Sequence, residues 1–473
     1  MELFMNEWIL GCDIGSSSVK VIKVLKNGEY EVSKAACRNP EAAGSYWDSL
    51  VSAVHECVND QGGRVKAIAL TGQVGSYLFF DKNHPSAACP VCSWQKADAK
   101  PALDELLSRF DRDFFQREIS MPHPPLESYP LPFLLSRKKR EFSLNEETML
   151  LSLKDYIFFR MTGEFISDPC TWRGLCDKSG HYSRTLLDFA DFPERRLPLL
   201  AGSEESVCCL ASEAAGELRL TPGIPIYTGC NDFYAGLLGS GGGDENCYYD
   251  VTGTSEHFGF LTDRFEDAPL LITSPFFDKF VCYGVTASSG SSLEWARKQF
   301  AQTAAEAAQD APVFLPYLNG ERTPLYNGGA SGVFWGLRAH HTSADLTRAV
   351  MEGVVFSLAH IKSLLPKRIT TPKYIRVSGG AAAIDSMNHL KADILGLPIL
   401  VCGPESTALG AAMIAALGES WFPDYRSAAA CWVSAKTIEP MPLNIDYERR
   451  FRDYLRIFEA MGLYLSDSGK DRR

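Results

Sequence analysis

Gly229-Cys230-Asn231-Asp232 sits between an apolar run, Ile224-Pro225-Ile226-Tyr227-Thr228, and the small residues Ala235, Gly236 and Gly239 at helical spacing. The run reads as a buried strand and the small residues as a helix packed close to it, so Asp232 falls at a strand-to-helix junction. Backbone N–H groups at a helix start favour negative charge, which keeps a carboxylate ionised and lets it act as a base where it faces a cleft. The simpler role for an aspartate there is a helix cap. Two other stretches suit a different chemistry. Asp13-Ile14-Gly15-Ser16-Ser17-Ser18 follows a strand at Trp8 to Cys12, and Gly253-Thr254-Ser255 follows one at Cys247 to Thr252. Each pattern is strand, glycine-hydroxyl turn, strand. Such a turn offers N–H groups and hydroxyls in a concavity suited to phosphate oxygens.

The elements that must position these residues follow from periodicity and turn signals. Val19 to Leu25 and Tyr30 to Ala36 read as strands joined by the Lys26-Asn27-Gly28-Glu29 turn. A helix is expected over Trp47 to Val58, and a buried strand over Val65 to Thr71, ending at Gly72-Gln73-Val74-Gly75. Helices are expected near Pro132 to Arg140 and Ser152 to Met161, whereas Asp177 to Glu217 shows no clear period. From Cys247 the opening pattern recurs, with strands at Glu256 to Leu261 and Phe280 to Ala287, which predicts a duplicated fold. Helices follow at Ser291 to Phe300 and Leu346 to Leu365. The strand Tyr374 to Val377 runs into Ser378-Gly379-Gly380, where small residues let a ligand approach the backbone. A helix at Asn388 to Leu395, a strand at Ile399 to Val401 and a small-residue helix at Ala408 to Leu417 complete the second half. The class is α/β, divided at 1–240, 241–460 and a disordered tail over 461–473, with Gly241-Gly242-Gly243 as hinge candidate.

Composition narrows the partners. A 473-residue chain with 45% hydrophobic and 22% charged residues is expected to fold into two or three domains. Its net charge of -11 offers no general attraction for nucleic acid or an anionic membrane. The basic cluster Arg137-Lys138-Lys139-Arg140 reads as a solvated helix end. Fourteen scattered cysteines suit free thiols in a reducing cytoplasm, and Cys89-Pro90-Val91-Cys92 has no second pair at zinc spacing. Met1 to Trp8 lacks the pattern of a signal peptide, and the longest small apolar run is too short to span a bilayer.

With these elements in order, the chain over about residues 8 to 420 resembles the FGGY carbohydrate kinases, which include xylulokinase, gluconokinase and glycerol kinase. Asp13-Ile14-Gly15-Ser16-Ser17-Ser18-Val19-Lys20 is similar to the family's first phosphate motif, Gly229-Cys230-Asn231-Asp232 with Ala235 to its catalytic motif, and Gly253-Thr254-Ser255 to its second phosphate motif. Leu315 to Pro324 resembles a further signature, and Ser378-Gly379-Gly380, Ala392-Asp393 and Leu409-Gly410-Ala411-Ala412 the adenosine-side pattern. The resemblance implies an actin-like ATPase fold, two ribonuclease H-like lobes with a cleft between them closing over ATP and a sugar. It implies Asp232 as the catalytic base and Asp13 organising magnesium through water, with Asp232 also near the metal. Gly15, Ser16, Ser17, Lys20, Gly253, Thr254 and Ser255 would serve the phosphates, and Gly379 and Gly380 the adenosine. ATP and Mg2+ are the implied cofactors, and a homodimer is compatible with the family.

The sugar side departs from the pattern. Xylulokinase-like members carry glutamine-methionine-histidine-glycine where this chain has Gln73-Val74-Gly75-Ser76, so the histidine is missing. Gln73, Val74, Gly75, Trp94, Asn231 and Asp232 are the candidate sugar contacts, with Trp94 as a stacking surface and its polar neighbours matching only after a shift to Asp98 and Lys100. His389 reads as a structural hydrogen-bonding residue, His257 just after the second turn is open between a structural role and a ligand contact, and neither is read as catalytic. The implied activity is transfer of the γ-phosphoryl group of ATP to a hydroxyl of a ketose such as a pentulose, a polyol or a sugar acid. A sugar-sensing protein and an actin-like ATPase on the same scaffold are the rivals.

Overall fold

Trp8–Ile14 (β1) is buried along its length except at Asp13, its one part-exposed residue, as a central strand covered on both faces requires. The structure, a computed structural model, describes residues 7–59, 61–84, 90–94, 98–121, 126–140, 147–205, 208–300, 310–367, 371–441 and 445–468. Antiparallel Ser18–Leu25 (β2) and then Tyr30–Ala36 (β3) lie on one side of β1, and parallel Val65–Gly72 (β4) on the other. The parallel strand Pro225–Asn231 and the short antiparallel Cys208–Cys209 complete a six-stranded sheet. Helix Ala43–Val58 (α1) covers one face, burying Tyr46, Trp47, Leu50 and Val54 in the core.

The second sheet repeats this plan. Cys247–Thr252 pairs antiparallel with Glu256–Thr262, which pairs antiparallel with Lys279–Val285. On its other side Cys247–Thr252 pairs in parallel with Tyr374–Gly379, then come parallel Ile399–Cys402 and antiparallel Ala435–Ile438. The turn after Ile14 and the turn after Thr252 are therefore topological equivalents. In the interval without a readable period, the structure has short helices at Arg184–Ala190 and Ser212–Leu218.

The chain divides into two compact units, Met1–Gly243 with Ser274–Asp278 and Glu405–Val433, and Asp244–Thr273 with Lys279–Pro404 and Ser434–Arg473. The first change of unit follows the glycine run, near the expected boundary. The expected 241–460 segment needs correction, because Glu405–Val433 belongs with the first unit. The cause is close packing. Helix Ser406–Gly418 lies so near helix Asp232–Gly239 that a Cβ on Gly410 would stand 1.8 Å from the Ala235 carbonyl oxygen, and one on Gly239 1.8 Å from that of Ser406. The expected disordered tail is corrected too. Helix Tyr447–Ser468 runs through most of it, carried by an amphipathic pattern that buries Tyr454 and Ile457; 469–473 lie outside the described residues. Among the described residues no helix is long and apolar enough to cross a membrane.

Candidate active site

In the first unit, Asp13 faces Lys20 in the β1–β2 register, and the turn between them is closed by the Gly15 N–H donating to the Ser18 carbonyl at 3.1 Å. Tyr46 of α1 braces this turn, its hydroxyl donating to the Ser16 carbonyl at 3.0 Å. Lys20 Nζ lies 2.6 Å from Glu405 Oε2, at the start of helix Ser406–Gly418. Burial pushes Asp13 up to about 6, opposed by the Lys20 ammonium and reinforced by the Glu405 carboxylate.

Asp232 is the first residue of helix Asp232–Gly239, and the cap is its neighbour. Asn231 Oδ1 accepts the Tyr234 N–H at 3.2 Å, and Asn231 Nδ2 donates to the Cys170 carbonyl at 2.6 Å. Asn231, 3% exposed, thus spends its side chain on shaping the junction. Asp232 accepts the Phe233 N–H at 2.9 Å, and the Val74 N–H also faces its carboxylate. Burial first, then the Asp13 charge, push Asp232 up to about 7 against those N–H groups. A buried carboxylate whose proton affinity a second one raises further suits a divalent cation, which would relieve the repulsion.

Val74 reaches Asp232 because the loop after β4 is pinned, the Gln73 N–H donating to the Ile14 carbonyl at 3.1 Å. Gln73 itself is buried beside Tyr46. Gly75 has φ +81°, and a Cβ there would lie 2.9 Å from the Ser128 carbonyl oxygen and 3.0 Å from Trp94 Cβ. No side chain fits at the position of the missing histidine, because Trp94 and Ser128 fill its room. Trp94 is 40% exposed, free to offer a ring face. Of its polar neighbours, Lys100 pairs with Asp104 at 2.5 Å, while 95–97 lie outside the described residues.

A buried ionic network supports this arrangement, and the sequence reading missed it. Lys154 Nζ donates to the Thr228 carbonyl at 2.8 Å and lies 2.9 Å from Asp168 Oδ2 and 3.5 Å from Asp155 Oδ1. Asp155 accepts from Ser167 Oγ at 2.5 Å and Trp172 Nε1 at 3.1 Å, and forms a capping box with Ser152. The network joins the strand carrying Asn231 to the segment carrying Cys170. Its signal was a charged pair, Lys154-Asp155, inside the apolar run Met149 to Phe159.

The second unit carries the other expected set. Gly253, Thr254 and Ser255 form the turn between the first two strands of its sheet, with Thr254 exposed. The Gly290 N–H donates to the Gly253 carbonyl and the Ser289 N–H to that of Thr254, each at 3.0 Å. Gly379 pairs with Thr252 in parallel register, so Gly379 and Gly380 leave the neighbouring strand beside that turn. Asn388 Nδ2 donates to the Ala382 carbonyl at 2.8 Å to hold the segment after them, and His389 is exposed on the next helix. His257 packs its ring 5.9 Å from that of Tyr283. Glu321, in the Leu315 to Pro324 signature, accepts the N–H groups of Ala287 and Arg322, both at 2.7 Å, and burial pushes it up to about 8. Its role is to fasten the signature to the segment after strand Lys279–Val285.

Models of the N-terminal and C-terminal domains of the FGGY family of carbohydrate kinases match residues 8–239 and 249–419. The chain belongs to the FGGY family of carbohydrate kinases. Among its relatives are xylulose kinases of Klebsiella pneumoniae, 30% identical over 86% of this chain and 89% of that protein, and of Lactococcus lactis, 26% identical over 96% of each. A glycerol kinase of Thermococcus kodakarensis is 23% identical over 97% of this chain and 98% of its own length. Among solved structures, a gluconate kinase of Lactobacillus acidophilus matches with a TM-score of 0.86 at 22% identity, covering 96% of this chain and 98% of its own. A ligand-bound xylulose kinase from the same organism matches at 0.85 and 23%, with the same coverage. These likenesses establish the fold as that of the actin-like sugar kinases. As a family member the protein is a carbohydrate kinase, a phosphotransferase that uses ATP to phosphorylate a sugar.

Proposed function

We propose that this kinase transfers the γ-phosphoryl group of ATP to a primary hydroxyl of a ketopentose, xylulose first among them, with Asp232 as the base. The observation that carries the reading is Asp232 itself, held by two backbone N–H groups and poised near neutrality at about 7. A base of that strength is half ionised at physiological pH and accepts a hydroxyl proton as attack begins. The ketopentose is supported by the relatives of 25–30% identity, which carry the name xylulose kinase. The filled space at Gly75 means that Trp94, Gln73 and the backbone of Val74 and Gly75 do the work of recognition.

Phosphoryl transfer depends mainly on positioning and charge neutralisation. Gly15, Ser16 and Ser17 are proposed to serve phosphate oxygens in the first unit and Gly253, Thr254 and Ser255 in the second, with Gly379 and Gly380 against the adenosine. Lys20 acts from its ion pair with Glu405, balancing charge beside Asp13. Asp13, through water, and Asp232 would hold Mg2+, which when bound neutralises phosphate charge. The reaction is proposed to run in the cytoplasm.

ADP release by the purified protein over pentuloses, hexuloses, polyols and aldonates tests the reading. Turnover is expected with xylulose and to vanish in Asp232→Asn while ADP binding persists. Turnover confined to aldonates or glycerol rejects the ketopentose, and full activity in Asp232→Asn rejects the base.

A further inference from the structure

Three charged side chains lie buried behind the Gly253-Thr254-Ser255 turn, outside any role assigned so far. Asp250 stands on the strand entering the turn, Glu256 opens the strand leaving it, and Lys391 reaches both from helix Asp385–Leu395. Lys391 Nζ donates to Asp250 Oδ2 at 2.6 Å and to Glu256 Oε1, and the three side chains are at most 3% exposed. The other oxygen of Glu256 accepts from Ser289 Oγ at 2.5 Å. Ser289 in turn donates its N–H to the Thr254 carbonyl, and the next residue, Gly290, to that of Gly253. A continuous path thus runs from Lys391 through Glu256 and Ser289 to both carbonyls of the turn.

Desolvating three charges is costly, and such a cluster is retained where it fixes geometry that apolar packing would leave loose. One ammonium against two carboxylates also leaves an excess negative charge behind a turn meant for anions. Burial and the neighbouring Glu256 push Asp250 well above the usual carboxylate range, against the pull of Lys391.

We propose that Lys391 is a positioning residue for the nucleotide. By gripping both arms of the hairpin, and the turn itself through Glu256 and Ser289, it sets the backbone N–H groups for the phosphate oxygens of a nucleoside di- or triphosphate, and its ammonium offsets carboxylate charge behind them. The inference rests on the proposed nucleotide role of that turn.

Calorimetric ADP binding, with KM for ATP and for the accepted sugar, is measured on the full chain as wild type, Lys391→Met, Ser289→Ala and the double variant Lys391→Met/Glu256→Gln. Lys391→Met is expected to weaken ADP binding about ten-fold or more and Ser289→Ala about three-fold or more, with the sugar KM within about two-fold of wild type. The double variant, which removes the excess charge, is expected to recover part of the loss. A merely structural role would move both KM values together and give no recovery. A folded Lys391→Met chain that binds ADP like wild type, or a sugar KM that rises in step with that for ATP, overturns the inference. Should Lys391→Met fail to fold, Ser289→Ala decides, and unchanged ADP affinity there overturns it. If the wild type binds no ADP, the nucleotide role of the turn falls with the inference; if it does and the variants match it, only the inference falls.

Discussion

Replacing Asp232 with asparagine should make the protein more stable in alkali while abolishing its activity. An ordinary aspartate loses its proton near 3.8, whereas Asp232 in the folded chain holds its proton to about 7. Below pH 4 both states are protonated and the group costs nothing. Between pH 4 and 7 the unfolded chain ionises first, the folded chain binds more protons, and stability falls as pH rises; above 7 the penalty is constant. The ceiling is three pH units at 1.36 kcal/mol each, about 4 kcal/mol. Asp232 is only part-buried, so the working figure is about 2 kcal/mol after allowance for solvent screening. Asparagine keeps an oxygen for the Phe233 and Val74 N–H groups and carries no charge. A unit of this size gains about 2–4 °C per kcal/mol, so Asp232→Asn should melt about 4–8 °C higher at pH 8 and gain only a fraction of that at pH 4.5. Thermal melts of both chains across that range read the difference. In parallel, wild-type kcat/KM should rise with pH up to about 7 and then level, as Asp232, raised by burial and by the Asp13 charge, loses its proton. The variant should lose about a hundred-fold or more in kcat. A variant less stable than wild type at pH 8, or a gain equal at pH 4.5 and 8, would refute the reasoning.

Three further outcomes follow from the same geometry. Gly75→Ala, with positive φ and the Ser128 carbonyl 2.9 Å from the new Cβ, should cost about 1–3 kcal/mol in urea unfolding; an unchanged midpoint would mean that the loop yields freely. Lys154→Met strands the buried carboxylates of Asp155 and Asp168 and should cost about 3–5 kcal/mol by the same measurement, and a loss under about 1 kcal/mol would count against a supporting role. Trp94→Ala should leave the melting temperature within about 2 °C, because the ring is part-exposed, yet raise the sugar KM about three- to ten-fold; an unchanged KM would remove it from the sugar site.

Local pattern was enough for most strands of the two large sheets and for the family. Strand, glycine-hydroxyl turn and strand read twice from neighbouring residues, because a turn's chemistry is written in four or five consecutive positions, and the structure places both turns at equivalent points of two sheets built alike. The junction at Asp232 was legible for the same reason. Which residue capped it was not, since Asn231 and Asp232 are both good caps and only the Cys170 carbonyl, supplied from a remote segment, commits Asn231 to the task.

What tertiary structure decided lies where partners are far apart in the chain. The helix after Glu405 returns to the first unit because Gly239 and Gly410 let two backbones meet, a contact that no local window contains. Lys154 and Lys391 look alike in sequence, charged residues among apolar ones, and only the fold brings Asp168 to the one and Asp250 and Glu256 to the other. The proton affinities of Asp13 and Asp232 are of the same kind. Nothing in either local sequence raises them, since burial of both, and the Asp13 charge felt by Asp232, arise only once sheet and helix are assembled.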